Sequence, residues 1–390
     1  MALLYKFRNF FITFLLRFLP IKKDVILFES YPELSGSPWM IYREMIKRGF
    51  GEKYKLIWVV DSSFKTPVNI RSINFFGKRS LKKELRMLFY LSKAKIIIDS
   101  NRYVRKKNPS TFRLYCQHGA PLKGCYAYCF CLGDVDAVLS LSKNMSVYDE
   151  ELYPSAKGRF VFLGYPTNDA LFEKIDLYSL GFWRDVTQNS VKYNKIIGWL
   201  PTYRQHRNGG SLCSTFVFPF GIPLVKSEND FVLLNNLLKK ENILLAIQMH
   251  HAQAQNFPKR AFSNIVLIEQ SIKESAGVST ANLMQGFDAM ITDYSAAYHE
   301  YLMLNRPLAL SIDDFDEYSK NPGFALDYFE WIKGVYLKNV TDLMNFIKDV
   351  ASGVDCSKTE REGAMHRIHK YIDNKSTQRV VDFLVEKAML

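Results

Sequence analysis

From Asp24 onward, short apolar runs alternate with longer stretches in which apolar residues recur every three to four positions. The short runs fit strands buried on both faces, and the longer stretches fit amphipathic helices. Val25–Phe28 reads as a strand, Trp39–Lys47 as a helix, Leu56–Val60 as a strand, Leu81–Ser92 as a helix and Ile96–Ile98 as a strand. Phe112–Cys116, Ala137–Leu141 and Arg159–Leu163 continue the series, each followed by polar or Gly/Pro punctuation. This rhythm predicts a mainly parallel sheet covered by helices on both faces. Asp176–Lys195 is polar and aromatic without a period, and reads as a connection. A second series follows: strands Ile196–Leu200, Ile243–Met249, Ile265–Ile268, Phe287–Ile291 and Leu308–Ile312, with helices Phe231–Lys240 and Ala296–Leu304 between them. Helical stretches Val340–Val350 and Lys358–Leu390 close the chain. The expectation is an α/β protein with an amphipathic segment at 1–23, one domain at 24–175, a second at 176–345 and C-terminal helices at 346–390.

A chain of 390 residues is long enough for two such domains, each with its own core. Lys and Arg total 52 against 39 Asp and Glu, a net charge of +13, which suits anionic partners. No arginine-rich tail, RNP-like aromatic pattern or zinc-finger spacing is present, so nucleic acid is not expected as a partner. The cysteines contain no C-x-x-C pair and read as reduced thiols facing a cytosolic environment, not as a metal cluster. Residues 1–23 carry Lys6, Arg8, Arg17, Lys22 and Lys23 around the apolar run Phe10–Leu16, which is too short to span a bilayer. No small-residue cleavage site follows, and the pattern fits an interfacial helix on an anionic membrane surface. The protein is thus expected at the cytoplasmic face of the membrane, as a peripheral protein.

Ligands in open α/β sheets bind beyond the carboxyl ends of the strands, so the residues there are the candidates. They are Gln117-His118-Gly119-Ala120-Pro121-Leu122-Lys123, Pro201-Thr202-Tyr203-Arg204, His250-His251 and Thr292-Asp293-Tyr294-Ser295. The last group joins a strand to a helix start, where free N–H groups, the helix dipole and two hydroxyls favour a phosphate. Asp313, Asp314 and Asp316 could hold a cation but read as a solvated turn, and His299-Glu300 lacks the second histidine of a zinc-protease motif.

These blocks resemble, in order, the CDP-glycerol:poly(glycerophosphate) glycerophosphotransferases of teichoic-acid and capsule synthesis. QHGAPLKG is similar to the family's H-G-T-P-L-K block, LGYPTNDALF to G-Y-P-R-N-D, LPTYR to A-P-T-W-R, IQMHH to a second histidine block, and ITDYSAAYHEYLMLNRP to T-D-Y-S-S. The resemblance covers about Phe28 to Tyr328. It implies two Rossmann-like domains facing across a cleft, as in glycosyltransferase-B folds, with the acceptor at the first domain and the CDP-linked donor at the second. It implies transfer of glycerol phosphate or a related polyol phosphate from the donor to the hydroxyl of a glycan or lipid-linked acceptor, with release of CMP. By the same resemblance His118 and His250 are catalytic, His118 as base, and Arg204, Thr292, Asp293, Ser295 and Glu300 bind the donor, Glu300 toward the ribose. No cofactor or metal is indicated. Departures are Ala120, Ala296, His299 and Pro322-Gly323, where the family usually has Thr, Ser, Phe and R-G. Two other readings share these features: a nucleotide-sugar glycosyltransferase on the same scaffold, and a peripheral lipid-binding protein with an inactive cleft.

Overall fold

The computed structural model describes residues 23–78, 80–117, 119–120, 122–124, 132–204, 218–249 and 254–388. The expected N-terminal membrane segment, His118, His250 and most of the loop after Arg204 lie outside the described residues. The chain forms two compact units. Unit 1 comprises Met1–His118, Tyr128–Asp169 and Lys375–Leu390; unit 2 comprises Gly119–Ala127 and Ala170–Asn374. The C-terminal helices, expected as one tail, are therefore divided. Lys358–Ile368 lies in unit 2, while Ser376–Ala388 belongs to unit 1.

Unit 1 is built on seven parallel strands: β1 Val25–Phe28, β2 Lys55–Asp61, β3 Ser72–Phe76, β4 Ala94–Asp99, β5 Phe112–Tyr115, β6 Ala137–Ser140 and β7 Phe160–Phe162. Their order across the sheet is β3-β2-β1-β4-β5-β6-β7. β1 is buried at every position, as a central strand covered on both faces must be. Helix Leu81–Lys93 turns Met87 and Leu91 onto Val25, Leu27 and Val59 in one apolar cluster.

Unit 2 repeats the design with β8 Lys195–Trp199, β9 Ile243–Ile247, β10 Ile265–Leu267, β11 Ala289–Thr292, β12 Leu308–Ser311 and β13 Val335–Leu337, all parallel. The order is β10-β9-β8-β11-β12-β13. Counted from its own first strand this is 3-2-1-4-5-6, the doubly wound arrangement in which the crossover direction reverses between the first and fourth strands. Helices Glu228–Lys240 and Val340–Ser352 place Phe231, Leu234, Phe346 and Ile347 on the sheet. Gly198 in β8 is required by packing: a Cβ there would lie 2.0 Å from the Phe287 ring. Strand β3 has no unbroken apolar run, and β13, Val335–Leu337, is only 3 residues long. β3, with its exposed Asn74, lies at the sheet edge and needs only one strong face.

Candidate functional site

The reversal point of unit 2 lies between β8 and β11, and the residues that follow those two strands are Leu200–Arg204 and Asp293–Ser295. In doubly wound sheets ligands bind at such a reversal point, outside the carboxyl ends of the strands. The Leu200 N–H donates to Ile291 O at 2.9 Å, and Thr292 Oγ1 donates back to Leu200 O at 2.8 Å, fastening the two strand ends together. Ser311 Oγ on β12 holds Thr292 O at 3.1 Å. Thr292 is thus fully buried, with its hydroxyl proton committed to the backbone.

Behind these strand ends is a buried ionic core. Arg204 Nε and Nη2 donate to Asp314 at 2.7 and 3.2 Å, Nη2 also lies 2.8 Å from Asp293, and Nη1 donates to Thr202 O at 3.0 Å. Arg204, Asp293 and Asp314 are all fully buried. Thr202 N–H and Oγ1 donate to Asp293 Oδ1 at 2.9 and 2.5 Å, and the Tyr294 N–H adds a third bond at 2.6 Å. Tyr294 OH reaches Asp314 at 3.0 Å, while the Tyr294 and Tyr318 rings lie 4.8 and 5.1 Å from the guanidinium. Burial opposes the charge of Arg204, but Asp293 and Asp314 outweigh it and raise its pKa. Arg204 and Asp293, expected to meet the donor, therefore face inward. They shape the turn on which Tyr294 and Ser295 stand.

The aspartate turn also differs from expectation. Only Asp316 is solvated. Asp314 belongs to the ionic core, and Asp313 accepts the Leu224 N–H at 2.9 Å, with burial raising its pKa to about 6. Asp314, the N-cap of the short helix Phe315–Lys320, and Tyr318, four residues on, share one face of that helix, a spacing visible in the sequence.

Ser295 and Glu300 remain open to a ligand. Ser295 is half-buried, and its Oγ accepts the Ala297 N–H at 3.3 Å, a weak contact that leaves its proton available. The helix that follows is only Ala297–Leu302, shorter than expected, so local N–H groups rather than a long macrodipole would meet an anion here. Glu300 is half-buried, its carboxylate has no hydrogen-bond partner among the described residues, and desolvation raises its pKa to about 7. Lys273 was missed because it sits on a helix and not at a strand end. Its Nζ donates to Gln248 at 3.1 Å and Thr280 at 2.8 Å, and burial lowers its pKa to about 8. Gln248 follows β9, two residues before His250. The described residues contain no group of three or more His, Cys, Asp or Glu placed to hold a metal ion.

The segment after His118 docks on this same unit. Gly119 packs against Ala296, Lys123 pairs with Phe324 in an antiparallel bridge, the Gly124 N–H donates to Gly323 O at 3.0 Å and the Ala325 N–H to Leu122 O at 2.9 Å. Gln117, the last described residue before His118 in sequence, belongs to unit 1. Gln117 is buried with φ of 54°, and its Nε2 donates to Leu139 O at 2.8 Å and Asp149 Oδ1 at 3.0 Å.

The chain is 25% identical over 366 residues to the teichoic acid poly(glycerol phosphate) polymerase of Bacillus subtilis (strain 168), covering 86% of this chain and 45% of that protein. It is 26% identical to the protein of the same description from Bacillus spizizenii, covering 84% of each. The teichoic acid glycerol-phosphate transferase of Staphylococcus aureus is 22% identical, with 92% of each covered. Against two of the curated relatives the chain spans only about half of their length, 45% and 57%. Among solved structures, the wall teichoic acid polymerase TagF superimposes with a TM-score of 0.70 at 19% identity, covering 95% of this chain and 90% of that one. A putative UDP-N-acetylglucosamine 2-epimerase from Listeria monocytogenes, at TM-score 0.52 and 13% identity, covers 94% of this chain and 98% of its own, and shares the two-unit, glycosyltransferase-B-type fold. The model of the CDP-Glycerol:Poly(glycerophosphate) glycerophosphotransferase family matches residues 11–386, and the chain belongs to that family.

Proposed function

We propose that this protein transfers glycerol phosphate, or a related polyol phosphate, from a CDP-linked donor to an acceptor hydroxyl in the synthesis of a cell-surface polymer of the teichoic-acid or capsule type. The observation that carries the reading is the Thr292–Ser295 turn at the reversal point of unit 2, braced from below by Arg204 and packed at Ala296 by the residue that follows His118. TagF has been solved after a soak with CDPG, which supports a CDP-linked donor here.

In this mechanism the Ser295 hydroxyl and nearby N–H groups hold the donor pyrophosphate, while Glu300 accepts hydrogen bonds from the ribose. His118 takes the proton of the acceptor hydroxyl as its oxygen attacks the phosphorus that carries the polyol. The bond from that phosphorus to the bridging oxygen breaks, and CMP leaves with its charge held by cationic groups, His250 among them. A positioned imidazole contributes typically 10²- to 10⁴-fold to such a step. The acceptor is a glycan or lipid-linked chain, and the basic, apolar residues 1–23 hold the protein on the cytoplasmic face of the membrane. No helix among the described residues is long and apolar enough to cross a membrane.

The test is CMP release by the purified protein from CDP-glycerol, CDP-ribitol and UDP-sugars. Release from a CDP-polyol that needs an acceptor, and that is lost in folded His118→Ala, is the expected result. Turnover of nucleotide sugars alone overturns the reading.

A further inference from the structure

Helix Leu81–Lys93, the end of β3 and the loop after β4 enclose a cavity of about 590 Å³ within unit 1, a volume typical of small-molecule sites. Its floor is apolar, made by Phe75, Phe76, Met87, Leu88 and Leu91. Its rim is cationic, with Lys83, Arg102, Arg105 and Lys107 against the one lining acid, Glu84.

The rim is built, because carboxylates fix its backbone from below, Glu29 and Asp99 fully buried and Asp134 partly so. Glu29 Oε2 accepts the N–H groups of Ser100, Asn101 and Arg102 at 3.3, 3.1 and 3.0 Å, Asp99 accepts that of Val104 at 2.8 Å, and Asp134 that of Lys106 at 2.9 Å. Arg102 is paired with Glu33 at 2.7 Å and lies 4.6 Å from the Phe76 ring, so it forms wall. Lys106 turns away to Asp136 at 2.7 Å. Arg105 and Lys107 are exposed at the rim and have no carboxylate partner among the described residues. The first turn of the helix, with Ser80 and Lys83 in the lining, adds a field that favours an anion.

We propose that this cavity binds a single-chain, phosphate-bearing amphiphile, with its hydrocarbon along the Phe75–Leu91 floor and its phosphate at Lys83, Arg105 and Lys107. The floor offers hydrocarbon and thioether surface without the converging polar groups that a base or sugar requires. The outer face of the same helix supports an origin at a lipid surface. Leu81, Leu85 and Phe89 are exposed there at 44, 42 and 53%, spaced four apart in one stripe, with Lys82 and Arg86 beside them. The site stands on unit 1 alone and does not depend on the transferase reading.

The test measures binding of dodecyl phosphate, below its micelle concentration, to the full chain. Dodecanol, inorganic phosphate and dihexanoylphosphatidylglycerol serve as comparisons. Dodecyl phosphate is expected to bind at least tenfold tighter than dodecanol or phosphate, and to lose tenfold or more in Arg105→Glu/Lys107→Glu, whose exposed positions leave melting unchanged. A diazirine-tailed analogue should label peptides 81–91. Equal binding to wild type and the double variant, labelling elsewhere, or binding only after removal of residues 1–22 overturns the proposal. Tighter binding of the two-chain phospholipid overturns the single-chain assignment.

Discussion

A Cβ on Gly119 would lie 2.7 Å from the Cβ of Ala296, with Gly119 itself at φ of +139°. The residue after His118 therefore touches the residue after Ser295 without room for a methyl group. Gly119→Ala forces one of the two segments to move and strains the backbone, at a cost of about 1–3 kcal/mol. The expected outcome is loss of CMP release with donor affinity largely kept, read by turnover and donor titration on the same folded sample.

Arg204 is expected to behave as a structural group. Arg204→Met leaves Asp293 and Asp314 buried without their cation, and removing one partner of a buried pair costs about 3–5 kcal/mol. Urea unfolding should show the unfolding free energy falling by that amount, seen as a lower midpoint. A variant with full stability and a raised donor KM would return Arg204 to the ligand.

Thr292 and Ser295 should separate in the same way. Thr292→Val removes the bond to Leu200 O and should cost about 1 kcal/mol of stability. Ser295→Ala should leave melting nearly unchanged and raise the donor KM, by about 1.5–3 kcal/mol if its hydroxyl meets a charged phosphate. Paired melting and KM measurements on the two variants check this division.

Glu300 sets a pH dependence of known sign. Its folded pKa of about 7 lies above the usual 4.5, so the folded state holds the proton more tightly than the unfolded chain. Its contribution to stability therefore falls as pH rises from about 4.5 to 7 and stays low above that. Glu300→Gln should be more stable than wild type at pH 8 and show no such gain at pH 4. A stability difference that does not change between these pH values would mean the carboxylate is solvated.

Local pattern was enough to find most strands and the chemistry at their ends, because buried parallel strands are written as unbroken apolar runs and a strand end must be polar. Val25–Phe28 is a strand with the bounds its apolar run implies, and Ile243–Met249 overran only at the two residues that leave the sheet. Edge strands β3 and β13 were not legible, since β3 breaks its apolar run at the exposed Asn74 and β13 is only 3 residues long. The candidate residues Thr292 and Ser295 were visible from the sequence alone; their different duties were not. Which hydroxyl is spent on Leu200 O depends on β8 and β11 becoming neighbours, although more than ninety residues separate Leu200 from Thr292. The same holds for Arg204. Its type and position after a strand suggested a phosphate ligand, but only the fold brings Asp314 from 110 residues away to 2.7 Å and closes the aromatic rings around the pair. Sequence determines which groups can carry charge and donate protons, because that is side-chain chemistry. Tertiary structure decides which of them are used up inside, because burial without a partner is too costly for a charged group to be left alone.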